Sequence, residues 1–231
     1  MQQNTDSAER RDIAGPEAAA PVLSRVDLGE IPYDYAVKAM QEWVQQRRDG
    51  TAGDRLFLLS HPPVITYGRH TDPGDLPAVT SSTPTVEVDR GGFATYHGPG
   101  QLVGYLVLNT RARGPVDIVR WLENGLITAL DSLGFRALRR DTPSGATSLV
   151  GVWTPDERKI ASIGMRIRGG ITSHGFALNI DPDMTAFQQF TACALQDVSM
   201  TSLRELADEQ GIPTPGEAEV RDAVSAALGA V

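Results

Sequence analysis

Arg90-Gly91-Gly92-Phe93-Ala94-Thr95-Tyr96-His97-Gly98-Pro99-Gly100-Gln101-Leu102 is the stretch on which the reading of this chain turns. Short apolar runs broken by glycine predict strands joined by tight turns rather than a helix. Polar Thr95, Tyr96, His97 and Gln101 stand among glycines that let a ligand approach the backbone closely. The run lacks the Lys-Ser/Thr ending of a phosphate-binding loop. Gly98, Gly100 and Gly104 do not have the dinucleotide-binding spacing. The plainer alternative is a set of bulges and turns with no ligand.

On the N-terminal side, residues 1–21 are polar, alanine-rich and without periodicity, which predicts a disordered tail. Residues 22–231 are expected to form one domain. Val22–Leu28 reads as a strand. A helix follows over Tyr33–Arg48, with Pro32 at its start and Gly50 past its end. Leu56–Leu59 and Val64–Tyr67 read as short strands around the turn His61-Pro62-Pro63. Residues 72–84 read as a loop.

Pro115 opens a second helix with the apolar stripe Ile118, Val119, Leu122, Leu126, Leu130 and Leu133, ended by Gly134. Gly169-Gly170 joins Lys159–Arg168 to Ile171–Ile180 as a hairpin. Residues 213–231 read as a C-terminal helix, with Thr214-Pro215-Gly216-Glu217 as its capping box. Regular strand–helix alternation is absent. The expected class is α+β (α/β), a mixed and mostly antiparallel sheet with helices packed on it.

The composition excludes several function classes. A net charge of −8, with −2 in residues 1–24 and −4 in 201–231, argues against nonspecific nucleic-acid binding. No segment approaches the ~20 apolar residues of a membrane span, and no signal peptide is apparent. One cysteine rules out an internal disulfide and suits a reducing compartment, so a cytoplasmic address is expected. His61, His70, His97 and His174 lack zinc spacing, and no metal or other cofactor is expected.

Two residues point to covalent chemistry. Cys193 is the lone thiol. Lys159 is one of only two lysines against 19 arginines, and it opens an apolar strand. A buried cysteine is usually a small hydrophobe, and a lysine at a strand end usually snorkels to water. Strand alternation would point Lys159 with Ala161, Ile163, Met165 and Ile167. A partly desolvated lysine serves as a base; a charged one stabilises a thiolate. At ~4 Å and an effective dielectric of ~20 the attraction is about 4 kcal/mol. Lowering a thiol pKa by about two units needs only ~2.7 kcal/mol.

Between Leu23 and Leu203 the chain resembles the bacterial lipoyl(octanoyl) transferases of protein lipoylation. The resemblance rests on HPPVITYGR (61–69), RGGFATYHGPGQLVGYLVL (90–108), KIASIGMRI (159–167), HGFALNI (174–180) and the following Cys193. It implies the catalytic module shared by lipoate and biotin protein ligases. It implies transfer of an octanoyl chain from acyl carrier protein to a lysine of a lipoyl domain. The acceptors would be the 2-oxoacid dehydrogenase complexes and the glycine cleavage H protein. Cys193 would carry the thioester and Lys159 would activate it. Arg90, Gly91, Gly92, Phe93, Ala94, Thr95, Tyr96, His97, Ser162, Ile163, Gly164, Gly175, Phe176 and Ala177 would bind the acyl substrate. The enzyme would be a monomer, and acidic protein partners of an acidic chain would need a local basic docking patch, for which Arg139, Arg140, Arg166 and Arg168 are the candidates.

The sequence departs from the family pattern at Ala192 and Ala194, where proline and glycine usually flank the cysteine, and at Leu106 and Ser60. Other classes remain open at this point. They are an ATP-dependent lipoate- or biotin-type ligase of the same fold, a thiol acyl hydrolase, and a non-catalytic acyl-binding module.

Overall fold

Strand β2 (Asp54–Ser60) explains the layering. Its Leu56 and Leu58 point to one face and Phe57 and Leu59 to the other, and all four are buried. A strand covered on both faces reads as a continuous apolar run. The computed structural model describes residues 22–78, 81–110, 113–195 and 198–231. The expected tail over 1–21 lies outside the described residues.

The other strands are β1 (Leu23–Glu30), β3 (Val64–Gly68), β4 (Thr85–Val88), β5 (Thr95–His97), β6 (Gln101–Val107), β7 (Gly151–Trp153), β8 (Lys159–Arg168) and β9 (Ile171–Asn179). The large sheet runs β1-β2-β6-β9-β8-β7, and only its β1–β2 pair is parallel. A three-stranded sheet runs β4-β3-β5. The helices are α1 (Tyr33–Arg48), α2 (Pro115–Ser132), α3 (Leu203–Gln210) and α4 (Glu217–Leu228). Leu122, Leu126 and Leu130 of α2 and Val220 and Val224 of α4 pack with Leu56, Leu58, Leu102 and Leu106 on one face. Ala36 and Met40 of α1 pack with Phe57, Leu59, Val103 and Tyr105 on the other. This is the expected mixed, mostly antiparallel class. The Gly169-Gly170 turn has φ of 60° and 77°, as the hairpin requires.

Two expectations are corrected. The C-terminal helix begins at Glu217, not at residue 213. Gly216 is its N-cap with no side-chain cap, so Thr214–Glu217 forms no capping box. A side-chain cap is found instead on α3: Ser202 Oγ accepts the Glu205 N–H at 3.2 Å, while the Glu205 carboxylate accepts from Thr201 Oγ1. Ser202 stands three residues before its glutamate in an extended conformation, whereas Thr214 precedes the helix by too much chain to cap it. The second correction concerns β8. A register shift opposes Trp153 to Lys159 and Val152 to Ala161, leaving Ile160 as an extra residue. The bulge breaks simple alternation, so Lys159 and Ser162 face the same side.

Candidate active site

The glycine run crosses from the small sheet to the large one. Strand β5 pairs with β3, and β6 sits between β2 and β9. The run therefore brings its polar residues beside the start of β8. Within it Phe93, Thr95 and His97 line a cavity, together with Arg90 and Gly92. Gly91, Ala94 and Tyr96 stand outside that wall. Tyr96 packs edge-on against Phe187 at 5.6 Å, as strand alternation demands. Ser162, Ile163, Gly164, Gly175, Phe176 and Ala177 all line the cavity, as do Lys159 and Cys193.

Lys159 Nζ lies 3.4 Å from Cys193 Sγ, and Ser162 Oγ lies 3.7 Å from the same sulfur. Lys159 is 2% exposed. Its ammonium sits 5.1 Å from the centre of the Trp153 ring, a cation–π contact. Its backbone N–H donates to Ser199 O and its carbonyl accepts the Thr201 N–H. Thr201 is fixed in turn. Gln101 Nε2 donates to Asn179 Oδ1, and Asn179 Nδ2 donates to Thr201 O, each at 2.8 Å. The glycine run and the lysine strand thus share one buried hydrogen-bond chain.

Gly151 leaves room for the lysine. A Cβ there would stand 2.6 Å from Lys159 Cε, and its φ is 140°. Buried Glu123 of α2 accepts the Gly151 N–H at 3.0 Å and so holds that strand in place.

Cys193 sits in a short turn over residues 192–194. Its N–H donates to Ala94 O at 2.8 Å, which ties the nucleophile's loop to the glycine run. Cys193 and Ala194 have φ of 58° and 53°, the left-handed region. Such conformations in side-chain-bearing residues cost energy and cluster at functional sites. Burial pushes the thiol pKa up. The Lys159 charge, the Ser162 and Lys159 hydrogen bonds and the Arg90 charge outweigh it, and the thiol ends below its ordinary value.

Arg90 Nη2 donates to Thr66 O and Oγ1, both at 2.8 Å, and Nη1 donates to Gly91 O. Among the described residues its guanidinium meets no carboxylate, so its charge is left for the cavity.

Sequence reasoning missed Tyr33 and Tyr105, which also line the cavity. His61 Nδ1 lies 2.7 Å from Ile31 O and must donate to it. Its Nε2 therefore accepts from Tyr105 Oη at 2.8 Å. His97 stacks on Tyr33 with ring centres 6.0 Å apart. Tyr105 lay within the 90–108 motif, whereas Tyr33 gave no local signal. His174 also lines the cavity, and its Nε2 lies 3.2 Å from Asp89 Oδ1.

Of the four arginines suggested as a patch, three are paired with carboxylates. Arg166 pairs with Asp89, while Arg139 pairs with Asp141 and Arg140 with Glu157 beside Trp153. Among the described residues no group of three or more His, Cys, Asp or Glu side chains is placed to hold a metal. Within the same residues no helix is long and apolar enough to cross a membrane.

Comparison with known proteins gives the family and the fold. The family model described as lipoyl protein ligase A/B catalytic domain matches residues 33–229. The octanoyltransferase of Frankia casuarinae is 45% identical over 193 residues, covering 83% of this chain and 87% of that protein. The octanoyltransferase of Rhodococcus jostii is 42% identical over 214 residues, covering 89% and 79%. A crystal structure of lipoate-protein ligase A bound with ATP superposes with a TM-score of 0.71 at 15% identity, covering 90% of this chain and 84% of that one. At that identity the likeness speaks for the fold alone.

Proposed function

The chain belongs to the lipoyl protein ligase A/B catalytic-domain family, and on that premise we propose that it is an octanoyltransferase working through a Cys193 thioester. Residues 22–231 act as one catalytic domain, a monomer in the cytoplasm. The donor is octanoyl-acyl carrier protein and the acceptor is a lysine of a lipoyl domain. The single observation that carries the mechanism is the 3.4 Å contact between Lys159 Nζ and Cys193 Sγ, with Ser162 as a third partner.

The chemistry runs in two steps. The thiolate Sγ attacks the donor's carbonyl carbon. Collapse of the tetrahedral intermediate breaks the donor C–S bond, and the departing sulfur takes a proton from the Lys159 ammonium. The acyl-enzyme then stands beside a neutral lysine. In the second step the acceptor amine attacks the same carbon and the Cys193 C–S bond breaks. An ammonium that becomes an amide loses two protons. One returns to Lys159, which again faces a thiolate, and the other leaves to solvent. Thioester exchange is nearly isoenergetic and aminolysis is downhill, so no nucleotide is required.

The developing oxyanion needs donors. The N–H groups of Cys193, Ala194 and Leu195 are engaged with the carbonyls of Ala94, Thr191 and Ala192. The donors therefore come from across the cavity, where Ser162, Arg90 and the backbone of the glycine run are the available groups.

The test is the intact mass of the purified protein after incubation with octanoyl-acyl carrier protein, without nucleotide, followed by addition of a lipoyl domain. An octanoyl adduct on Cys193 that moves to the lipoyl domain is expected. Modification of the lipoyl domain only when ATP is supplied would assign the chain to the ligase reading.

A further inference from the structure

Strand β7 packs against the lysine that opens β8. Its register opposes Trp153 directly to Lys159, and the bulge at Ile160 creates that pairing. Without the extra residue Trp153 would oppose Ile160, whose side chain lies in the core with α2 and α4. Residues directly opposite in an antiparallel pair bring their side chains together. Gly151 leaves room for Lys159 Cε, and Trp153 sets its ring centre 5.1 Å from Nζ.

The ring is held firmly. Trp153 is fully buried, and its Nε1 donates to Leu149 O at 2.8 Å. Its backbone N–H donates to Leu138 O at 2.9 Å, and its carbonyl accepts the Leu138 N–H at 2.7 Å. The lysine it faces is almost as deeply buried. Among the described residues Lys159 pairs with no carboxylate, and the acceptor within hydrogen-bond reach of Nζ is Cys193 Sγ. A buried ammonium is costly unless something stabilises its charge. Beside the sulfur, the Trp153 ring is the neighbour that can do so.

The other charged groups come from four directions. Arg90 acts on Cys193 from the glycine run, and Glu123 of α2 accepts the Gly151 N–H. Arg140 lies over the Trp153 ring at 5.0 Å, and Glu157 pairs with Arg140 at 3.1 Å. Neither carboxylate pairs with Lys159.

We propose that Trp153 is a positioning residue for Lys159, whose ring face attracts the ammonium and so favours the thiolate–ammonium form of the Cys193–Lys159 pair over the thiol–amine form. The proposal rests on the Cys193 thioester reading above and deepens it. An aromatic face attracts the cation and not the neutral amine, and tryptophan is the strongest of the rings. The pair keeps its proton count: one proton moves from Sγ to Nζ. Before acylation the ring keeps the nucleophile ionised. When the acceptor amine attacks, the same attraction favours return of a proton to Nζ.

The test weakens the negative face of the ring while nearly preserving its shape. Trp43 and Trp121, the other two tryptophans, are replaced by phenylalanine, and Trp153 is exchanged during expression for mono-, di- and trifluorotryptophan. The pH midpoint of iodoacetamide labelling at Cys193 is read by mass, with melting temperature as the control for folding. Fluorine draws charge off the ring face, so the midpoint should rise with each fluorine, by roughly half to one pH unit over the series. Acylation by octanoyl-acyl carrier protein at pH 7 should slow in parallel. Trp153→Phe and then Trp153→Leu should lie above wild type in that order. A midpoint indifferent to fluorine would leave the ring a packing role and overturn the proposal, as would a midpoint that falls. The rise should persist in Arg140→Leu, and its loss there would assign the effect to the arginine and overturn the proposal equally. Labelling needs no acyl donor. Wild-type protein that labels as expected but takes up no octanoyl chain would therefore remove the octanoyltransferase reading without touching the ring.

Discussion

Lys159 Nζ stands 3.4 Å from Cys193 Sγ across 34 positions of sequence, with the lysine buried against the Trp153 ring. Two jobs are open to such a lysine: stabilising the thiolate by charge, and accepting a proton. Lys159→Arg keeps the charge and removes the titratable base, because guanidinium stays protonated. Lys159→Ala removes both. The arginine variant should alkylate at lower pH than the alanine variant, yet be nearly inactive in octanoyl transfer. The measurement is the pH profile of iodoacetamide labelling beside that of transfer. Wild-type transfer rates in the arginine variant would refute the base role.

Cys193→Ala should abolish both the acyl adduct and turnover. Its fold should persist, because the Ala94 carbonyl bonds the backbone N–H of residue 193 rather than the thiol. Cys193→Ser should trap a slowly formed ester. Intact mass and circular dichroism together report on this, and full turnover by the alanine variant would end the thioester mechanism.

Gly151→Ala tests whether lysine placement, rather than lysine presence, sets the rate. The added methyl would meet Lys159 Cε and Ala161 O, each at 2.6 Å, at a φ of 140° that disfavours a side chain. Displacing a reacting group by about 1 Å costs on the order of 10²-fold in rate. Transfer should fall by about that factor, and Cys193 labelling should shift to higher pH. Normal labelling with lost transfer would mean that the methyl acts elsewhere.

Ala194 occupies a left-handed conformation where the family pattern usually has glycine. The side chain costs about 1 kcal/mol there. Ala194→Gly removes this strain but frees the unfolded chain, which offsets part of the gain. A net stabilisation of a few tenths of a kcal/mol to about 1 kcal/mol is expected by urea titration, with the acylation rate unchanged. Destabilisation would show that the methyl contributes packing that outweighs its strain.

Burial, with the Arg90 and Arg166 charges, holds the His174 pKa at about 4, below the 6.5 of the free group. The unfolded chain therefore takes up this proton first on acidification. The stabilisation is fully present above pH 6.5 and is lost as pH falls from 6.5 towards 4, about 3 kcal/mol in all. His61 and His97 are shifted in the same direction, also chiefly by burial. His174→Asn tolerates the φ of 59° at this position. The variant should lose about 2–3 kcal/mol less than wild type between pH 7 and pH 4.5 in urea titrations. Equal losses would mean that His174 takes up its proton while the protein is still folded.

The sequence by itself determined most of the elements and singled out Cys193 and Lys159 as the candidate pair. The Tyr33–Arg48 helix, the Gly169-Gly170 hairpin and the apolar stripe of α2 are local patterns set by period, turn residues and caps, and such patterns survive without tertiary context. The rarity of lysine and the uniqueness of Cys193 singled out two chemical groups before any contact was known. Tertiary structure alone decided what those groups meet. Ser162 joined the sulfur only because the bulge at Ile160 overrode strand alternation, a matter of pairing register with β7. Tyr33 reached the cavity because α1 packs across the sheet face that also carries Tyr105, a contact of high sequence separation with no local mark. The side-chain cap at Ser202 and the absent one at Thr214 carry similar sequence patterns. Only the backbone path into each helix tells them apart, and that path is fixed by packing of α3 and α4 against the core. The direction of the thiol's pKa shift is likewise a sum over burial, Lys159, Ser162 and Arg90, groups drawn from different strands and loops that only folding brings together.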